Sequence, residues 1–190
     1  MTDINEQIRI AGAQTPSSVT AGSDQQSTDS QPDAALLDLA ELLFFAYRDF
    51  IQEPDKILVE YGFGRAHHRV LHFVNRHPGL RVADLLDILK ITKQSLGRVL
   101  KQLIDDGFIA QKEGKTDRRE RLLYPTPQGH ELAGRLAAPQ LKRISAALDA
   151  SGLKENAPVA EFLLEMIGEE DRKQVAELMK HEVHDKTSVR

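Results

Sequence analysis

The sequence predicts a mainly α fold broken by one β-hairpin. Three observations carry this. Apolar residues recur at i, i+3, i+4 and i+7 in successive stretches beyond residue 33. That period gives way to two short strand-like runs only between Phe108 and Tyr124. Thr or Asp stands before several of the periodic stretches and Gly after them, where helices start and stop.

Taken in order, residues 1–33 are rich in Ser, Thr, Gln, Asp and Ala and close on SVTAGSDQQSTDSQPD. They hold almost nothing a core could use, so they read as a disordered N-terminal tail. Order begins near Pro32-Asp33, where Asp33 can cap a helix. From Ala34 to Ile51 runs AALLDLAELLFFAYRDFI. Leu36, Leu39, Leu43, Ala46 and Phe50 form one stripe, and Leu37, Leu42, Phe44 and Phe45 widen it. A helix apolar over most of its circumference needs more than one partner surface, so it is either a core helix or part of a subunit interface. Gln52-Glu53-Pro54 is expected to end it.

A short helix over Gly64–His77 follows, stopped by Pro78-Gly79. Val82–Leu89 gives two turns with Val82, Leu85, Leu86 and Leu89 on one side. After Lys90-Ile91, Thr92 caps a helix through Ile104 whose buried stripe is Leu96, Val99, Leu100 and Leu103. Gly97 lowers helix propensity there by about 1 kcal/mol against Ala. It marks either a close approach or a tolerated weakness. Asp105-Asp106-Gly107 ends the helix, with Gly107 in the left-handed position. Phe108–Lys112 and Arg121–Tyr124 then make a hairpin with GKTDRRER at its tip. Thr126-Pro127 opens a helix over about 127–150, in which Pro139 is expected to cause a kink or interruption. Beyond Ser151-Gly152 a last helix is expected over about 157–183.

The 190 residues include no Cys, which excludes a disulfide framework, a thiolate metal site and a catalytic Cys. No apolar run approaches the roughly 20 residues that span a membrane. The start, MTDINEQIRIAGAQ, lacks the form of a signal peptide. The expectation is a soluble cytoplasmic protein without a membrane partner. The net charge of −4 hides a segregation: Gly64–Arg121 carries 13 Lys+Arg against 7 Asp+Glu, a local balance of +6. Asymmetry of this kind points to a surface for phosphate.

Helix, short helix, short link, amphipathic helix and charged hairpin is the order of a winged helix-turn-helix. Its second helix is held by the apolar stripe, leaving the opposite face and N-terminal end free for a major groove. On that side lie Thr92, Lys93, Gln94, Ser95, Arg98, Lys101 and Gln102. Lys93 and Gln94 suit base edges, Thr92 and Ser95 bases or phosphates, and Arg98 either.

The stretch from Gly79 to Leu132, GLRVADLLDILKITKQSLGRVLKQLIDDGFIAQKEGKTDRRERLLYPTPQGHEL, resembles the MarR family of transcriptional regulators. The likeness rests on the helix-turn-helix, Gly107-Phe108-Ile109, Asp117-Arg118-Arg119 in the wing and Thr126-Pro127-Gln128-Gly129. Tyr124-Pro125 departs from the usual apolar residue before that Thr. The resemblance implies a homodimer on a pseudo-palindromic double-stranded DNA operator, near the nucleoid and without a cofactor. Its fold would be a winged helix-turn-helix with flanking dimerisation helices and a β-hairpin wing. The parts would be a tail at 1–33, a dimerisation helix and loop at 34–62, the DNA-binding lobe at 63–126 and C-terminal dimerisation helices at 127–185. It also implies that Arg119 enters a minor groove and that Asp117 orients it. Lys115, Arg118 and Arg121 would be phosphate contacts or solvated charges.

His67, His68, His72 and His77 share one helix, and His68 and His72 stand at i, i+4. They read as structural or interface histidines, as part of an effector pocket, or as a metal-responsive pair lacking an obvious third ligand. A pH-sensing role is open to them as well. Since the resemblance implies small anionic or aromatic effectors, Tyr47, Arg65, His68 and His72 are the pocket candidates. Two other classes compete: a winged-helix module for protein–protein contact, and a metal-dependent enzyme, for which no nucleophile or general base is in register.

Overall fold

The computed structural model describes residues 33–114, 117–153 and 156–180. The expected tail, save Asp33, and the wing residue Lys115 lie outside these. The chain divides into two units, residues 1–38 and 39–190. Helix α1 (Ala34–Val59) starts in the first. Asp33 caps it, its Oδ1 accepting the Ala35 N–H at 2.9 Å.

This helix does not stop at Pro54 but continues to Val59, with Pro54 buried inside it. Proline has no N–H for the carbonyl four residues back, here that of Phe50. Gln140 takes its place, donating from Nε2 to the Phe50 carbonyl at 3.4 Å. Gln140 is the one buried polar residue among the described residues, at 8% exposure. A tertiary donor thus satisfies the acceptor that proline leaves unpaired, and the helix runs through.

The lobe follows as α2 (Arg65–Arg76), β1 (Leu80–Arg81), α3 (Val82–Leu89), α4 (Lys93–Asp105), β2 (Ile109–Glu113) and β3 (Arg121–Pro125). The three strands form an antiparallel sheet in the order β1-β3-β2. Ile109 pairs with Pro125 and Glu113 with Arg121, while Leu80 and Arg81 pair with Leu123 and Leu122. The sequence did not announce β1, because two residues are too few to show an alternation.

All four expected stripe residues of α4 are buried, but of the α3 set only Leu85 and Leu89 are, with Val82 and Leu86 half-buried. Together with Leu58, Val70, Leu71, Val74, Ile109, Leu123, Leu132 and Leu136 they form one core. Phe63 and Phe108 belong to the same core, and Phe108 meets the Phe63 and Tyr61 rings edge to face, with centroids 5.2 and 5.6 Å apart. That joint fixes the linker after α1 against the start of the hairpin.

Helix α5 (Pro127–Ala150) is capped by Thr126 and continues through Pro139 without interruption. Leu132, Ala133 and Leu136 are already buried ahead of that residue, and one missing hydrogen bond does not undo their packing. The expected single helix over 157–183 is instead two, α6 (Ala157–Glu165) and α7 (Glu169–Lys180). Arg172 folds back over the break, donating to the carbonyls of Glu165 at 2.9 Å and Ile167 at 3.1 Å. It thereby satisfies the carbonyls that end α6.

Candidate nucleic-acid interface

The N-terminus of α4 is built by its cap. Thr92 Oγ1 accepts the Ser95 N–H at 3.1 Å and donates to Ser95 Oγ at 2.9 Å. Both hydroxyls are therefore engaged with each other and with the backbone. The helix begins three residues beyond Lys90, whose left-handed φ of 50° closes α3. Thr92, Lys93, Gln94, Ser95, Arg98 and Lys101 are all exposed along one side of α4. The structure brings this predicted set together, with two differences. Lys101 is ion-paired with Asp105 one turn on, and Gln102 is half-buried and tied to His67 Nε2 at 3.0 Å. A Cβ at Gly97 would meet no protein atom within 4 Å, so no neighbouring helix explains that glycine.

In the wing, Asp117 Oδ1 accepts the backbone N–H of Arg119 at 2.8 Å. The Asp117 carboxylate thus holds the main chain of Arg119, as an Asx turn, and among the described residues the guanidinium has no partner. Around it the loop is closed by Gly114 N–H to the Glu120 carbonyl and Glu120 N–H to the Asp117 carbonyl, both at 3.1 Å. Gly114 is required there, since a Cβ would lie 2.5 Å from the Asp117 carbonyl oxygen. Arg121 is committed to the wing itself: its Nη1 donates to the Arg118 carbonyl at 2.9 Å and to Glu113 Oε1 at 3.2 Å.

One residue that sequence reasoning missed completes this face. Arg81 grips Asp84 with two bonds, Nε to Oδ2 at 2.8 Å and Nη2 to Oδ1 at 2.6 Å. Its Nη1 reaches Glu120 Oε1 at 3.4 Å. Asp84 foremost, and then Glu120, raise the Arg81 pKa above the ordinary arginine value. The i, i+3 spacing of Arg81 and Asp84 was readable; the 39-residue reach to Glu120 was not.

Charge in the lobe now sorts itself. Arg65 pairs with Asp55, Arg81 with Asp84, Lys90 with Asp171, Lys101 with Asp105 and Arg121 with Glu113. Arg69 donates to the Leu89 carbonyl, Lys112 sits over the Tyr124 ring, and Arg76 also has a partner. Among the described residues of the lobe, the cationic side chains left without one are Lys93, Arg98, Arg118 and Arg119. All four were predicted DNA contacts.

The histidines separate by environment. His67 Nδ1 accepts the Gly64 N–H at 3.1 Å, and its ring stacks on Phe63 at 4.7 Å. With Nδ1 accepting, the tautomer protonated on Nε2 satisfies Gln102 Oε1 on the other side. His67 is therefore a joint between the start of α2 and α4. His68 and His72 are half-buried, and burial lowers both pKa values. For His72 the charges of Arg76, His68 and His77 add to burial and bring it to about 4.

Asp55 stands between two of the four pocket candidates, Arg65 and His68. It pairs with Arg65 at 2.8 Å, and its charge opposes the lowering of the His68 pKa by burial. A cleft of about 1200 Å³ between α2, α3 and α7 is lined by His72 but not by Tyr47, Arg65 or His68. Among the described residues no three His, Asp or Glu side chains are grouped to hold a metal ion, and no helix is long and apolar enough to cross a membrane.

Comparison with known proteins adds three findings. A model of the MarR family matches residues 61–120. The HTH-type transcriptional regulator PetP of Rhodobacter capsulatus is 50% identical over 112 residues, which is 59% of this chain and 68% of PetP. Among solved structures, a MarR protein from Peptoclostridium difficile superposes with a TM-score of 0.57 at 21% identity, covering 84% of this chain and 99% of that one. NadR, in complex with 4-hydroxyphenylacetate, gives 0.56 at 19%, covering 76% and 97%.

Proposed function

The chain belongs to the MarR family of transcriptional regulators, and from that premise we propose that it acts as a homodimer which reads a pseudo-palindromic operator in double-stranded DNA. The observation that carries the reading is the sorting of charge in the lobe. Lys93, Arg98, Arg118 and Arg119 keep unpaired cationic heads on the exposed side of α4 and at the wing, whereas the described cations around them are engaged. Lys93, Gln94 and Arg98 would meet base edges and phosphates in the major groove, and Arg119 would enter the adjoining minor groove. Arg118 and the helix N-terminus would serve phosphate, as would Lys115. A protein-docking winged helix would instead need an apolar or acidic face on α4.

Dimerisation is supported by apolar surface that a lone chain leaves in water. Leu39, Leu42, Leu43, Phe44, Phe45 and Tyr47 of α1 are all exposed, Phe44 at 73%. So are Leu141 and Ile144 of α5 and Phe162 and Leu163 of α6. An expanse of this size marks an interface rather than ordinary surface. These elements correspond to the flanking parts proposed at 34–62 and 127–185, around a DNA-binding lobe at 63–126.

Effector control is the finer part of the reading. NadR is known in complex with 4-hydroxyphenylacetate; here, among the candidates Tyr47, Arg65, His68 and His72, Arg65 would accept an aromatic acid only by releasing Asp55. Calorimetry with 4-hydroxyphenylacetate on wild type and Arg65→Ala tests that part.

The experiment for the main reading is DNA binding by wild type and Arg119→Ala across salt. Wild-type affinity should fall about 10³- to 10⁵-fold between roughly 50 and 200 mM salt, as expected when 6–10 phosphates are contacted. Arg119→Ala should bind about 10- to 100-fold more weakly. An affinity indifferent to salt, or an unchanged Arg119→Ala, removes the reading.

A further inference from the structure

The wing is a two-stranded ribbon whose strand pairing with the rest of the lobe is very short. β1 contributes only Leu80 and Arg81, opposite Leu123 and Leu122. Beyond Leu122 the ribbon projects on its own, with Glu113 and Arg121 as the one further pair of its ladder. Ile109 and Leu123 fix the base of the ribbon in the core, but the tip beyond it can tilt, because isolated two-stranded hairpins are only marginally stable. If Arg119 and α4 are to meet neighbouring grooves together, that tilt has to be set.

Arg81 is placed to set it. It stands at the junction of β1 and α3, in the N-cap position of α3. Its fork is fixed by the bidentate grip on Asp84, in the first turn of that helix. The remaining Nη1 then spans to Glu120, next to Arg119. Glu120 is itself fixed, its N–H bonded to the Asp117 carbonyl and its carbonyl accepting from Gly114. Asp117 is also the residue that orients Arg119. The chain of contacts therefore runs from α3, through Arg81, to the turn that presents the groove-entering side chain.

We infer that Arg81 and Glu120 are positioning residues for DNA binding: the ion pair sets the pitch of the wing against the helix-turn-helix, and with it the spacing between Arg119 and α4. The inference rests on the DNA-binding reading above. It assigns Arg81 no contact with DNA, although it is a cation on a basic face. It assigns Glu120, an acid beside the wing tip, a favourable effect on binding.

That second assignment makes the test sharp. Removing a negative charge near phosphate should tighten binding if charge alone matters; removing half of a brace should weaken it. The probe is a duplex selected from a random pool by the wild-type full-length chain. Glu120→Gln and Arg81→Gln are measured on it across salt, each alone and combined with Arg119→Ala. Each single variant should bind about threefold to fivefold more weakly, the size expected for an exposed ion pair. The salt slope should stay unchanged, and neither variant should cost anything further in the Arg119→Ala background. Glu120→Gln leaves the Arg81–Asp84 grip in place, so it decides the matter even if Arg81→Gln lowers the melting temperature.

Equal or tighter binding by Glu120→Gln overturns the inference, as does an undiminished loss in the Arg119→Ala background. A salt slope lower by about 1 in Arg81→Gln would make Arg81 a phosphate contact instead. Should the wild type select no duplex, or Arg119→Ala bind normally, the DNA-binding reading itself fails and this inference goes with it. Failure of the two brace variants alone leaves that reading standing.

Discussion

Replacing Gly129 by Ala inserts one methyl group where the structure has no room for it. Gly129 lies in the first turn of α5, and a Cβ there would stand 1.9 Å from the carbonyl oxygen of Phe108 and 2.9 Å from its carbon. Ordinary contact begins near 3.4 Å, so strand and helix would have to part by 1.5 Å. The carbonyl cannot simply swing away, because it accepts the Thr126 N–H at 3.1 Å and Thr126 Oγ1 at 3.2 Å. Thr126 in turn caps α5 through the Gly129 N–H at 3.0 Å. Overpacking of this kind costs about 1–3 kcal/mol, and each hydrogen bond broken by the shift adds about 1 kcal/mol. Gly129→Ala should therefore destabilise the protein by about 2–4 kcal/mol, given that only some of those bonds will be lost. Urea unfolding followed by far-UV circular dichroism at one fixed protein concentration measures this. Gly134→Ala, farther along the same helix with nothing within 4 Å of its Cβ, is the control. It should gain up to about 1 kcal/mol from helix propensity. Two variants of equal stability would refute the steric argument.

Gln140→Leu should cost about 1 kcal/mol by leaving the Phe50 carbonyl unpaired, and Pro54→Ala, which restores a backbone donor, should recover most of it in the double variant. Chemical denaturation of the four-member cycle checks this; additive effects would contradict it. Stability should also depend on pH. Burial holds His68 and His72 below their ordinary value of 6.5, His72 at about 4, so between those values the unfolded chain binds more protons than the folded one. The stabilisation is complete above pH 6.5 and is lost as pH falls toward 4. It amounts to about 1–2 kcal/mol after discounting for partial exposure. His72→Gln should flatten that acid limb in urea titrations, and an unchanged limb would show that His72 is not responsible. Phe44→Asp should shift sedimentation from a two-chain to a one-chain mass by charging the apolar face of α1; a dimer that survives this and Leu43→Asp would place the interface elsewhere.

The lobe was legible where local rules agree. In α4 the apolar spacing, the Thr92 cap and the left-handed Gly107, with φ of +79°, all point to one helix, and all hold. The hairpin was legible from its change of period, and Thr126 with Gly129 from their motif. The physical need for that glycine appears only once Phe108 is seen against it. What escaped depends on distant partners. Pro54 locally signals a stop, and Gln140, which removes the penalty, bonds a residue 90 positions away. The break between α6 and α7 falls at Gly168, which the periodicity passes over, and Arg172 satisfies the carbonyls there from the far side. At the wing, the sequence placed Asp117 beside Arg119, but only the geometry shows a main-chain bond. In the same way Arg121 proved a brace within the wing, and Arg81 came to notice through Glu120.

The central claim is that the four unpaired cations serve a sequence-reading surface. Its most direct test is competition between the selected duplex and a scrambled duplex of equal length, at one fixed salt concentration. A specific reader should prefer the first by about 10³-fold or more. Equal affinity for both would show a basic surface that binds phosphate without reading sequence, and would contradict the account.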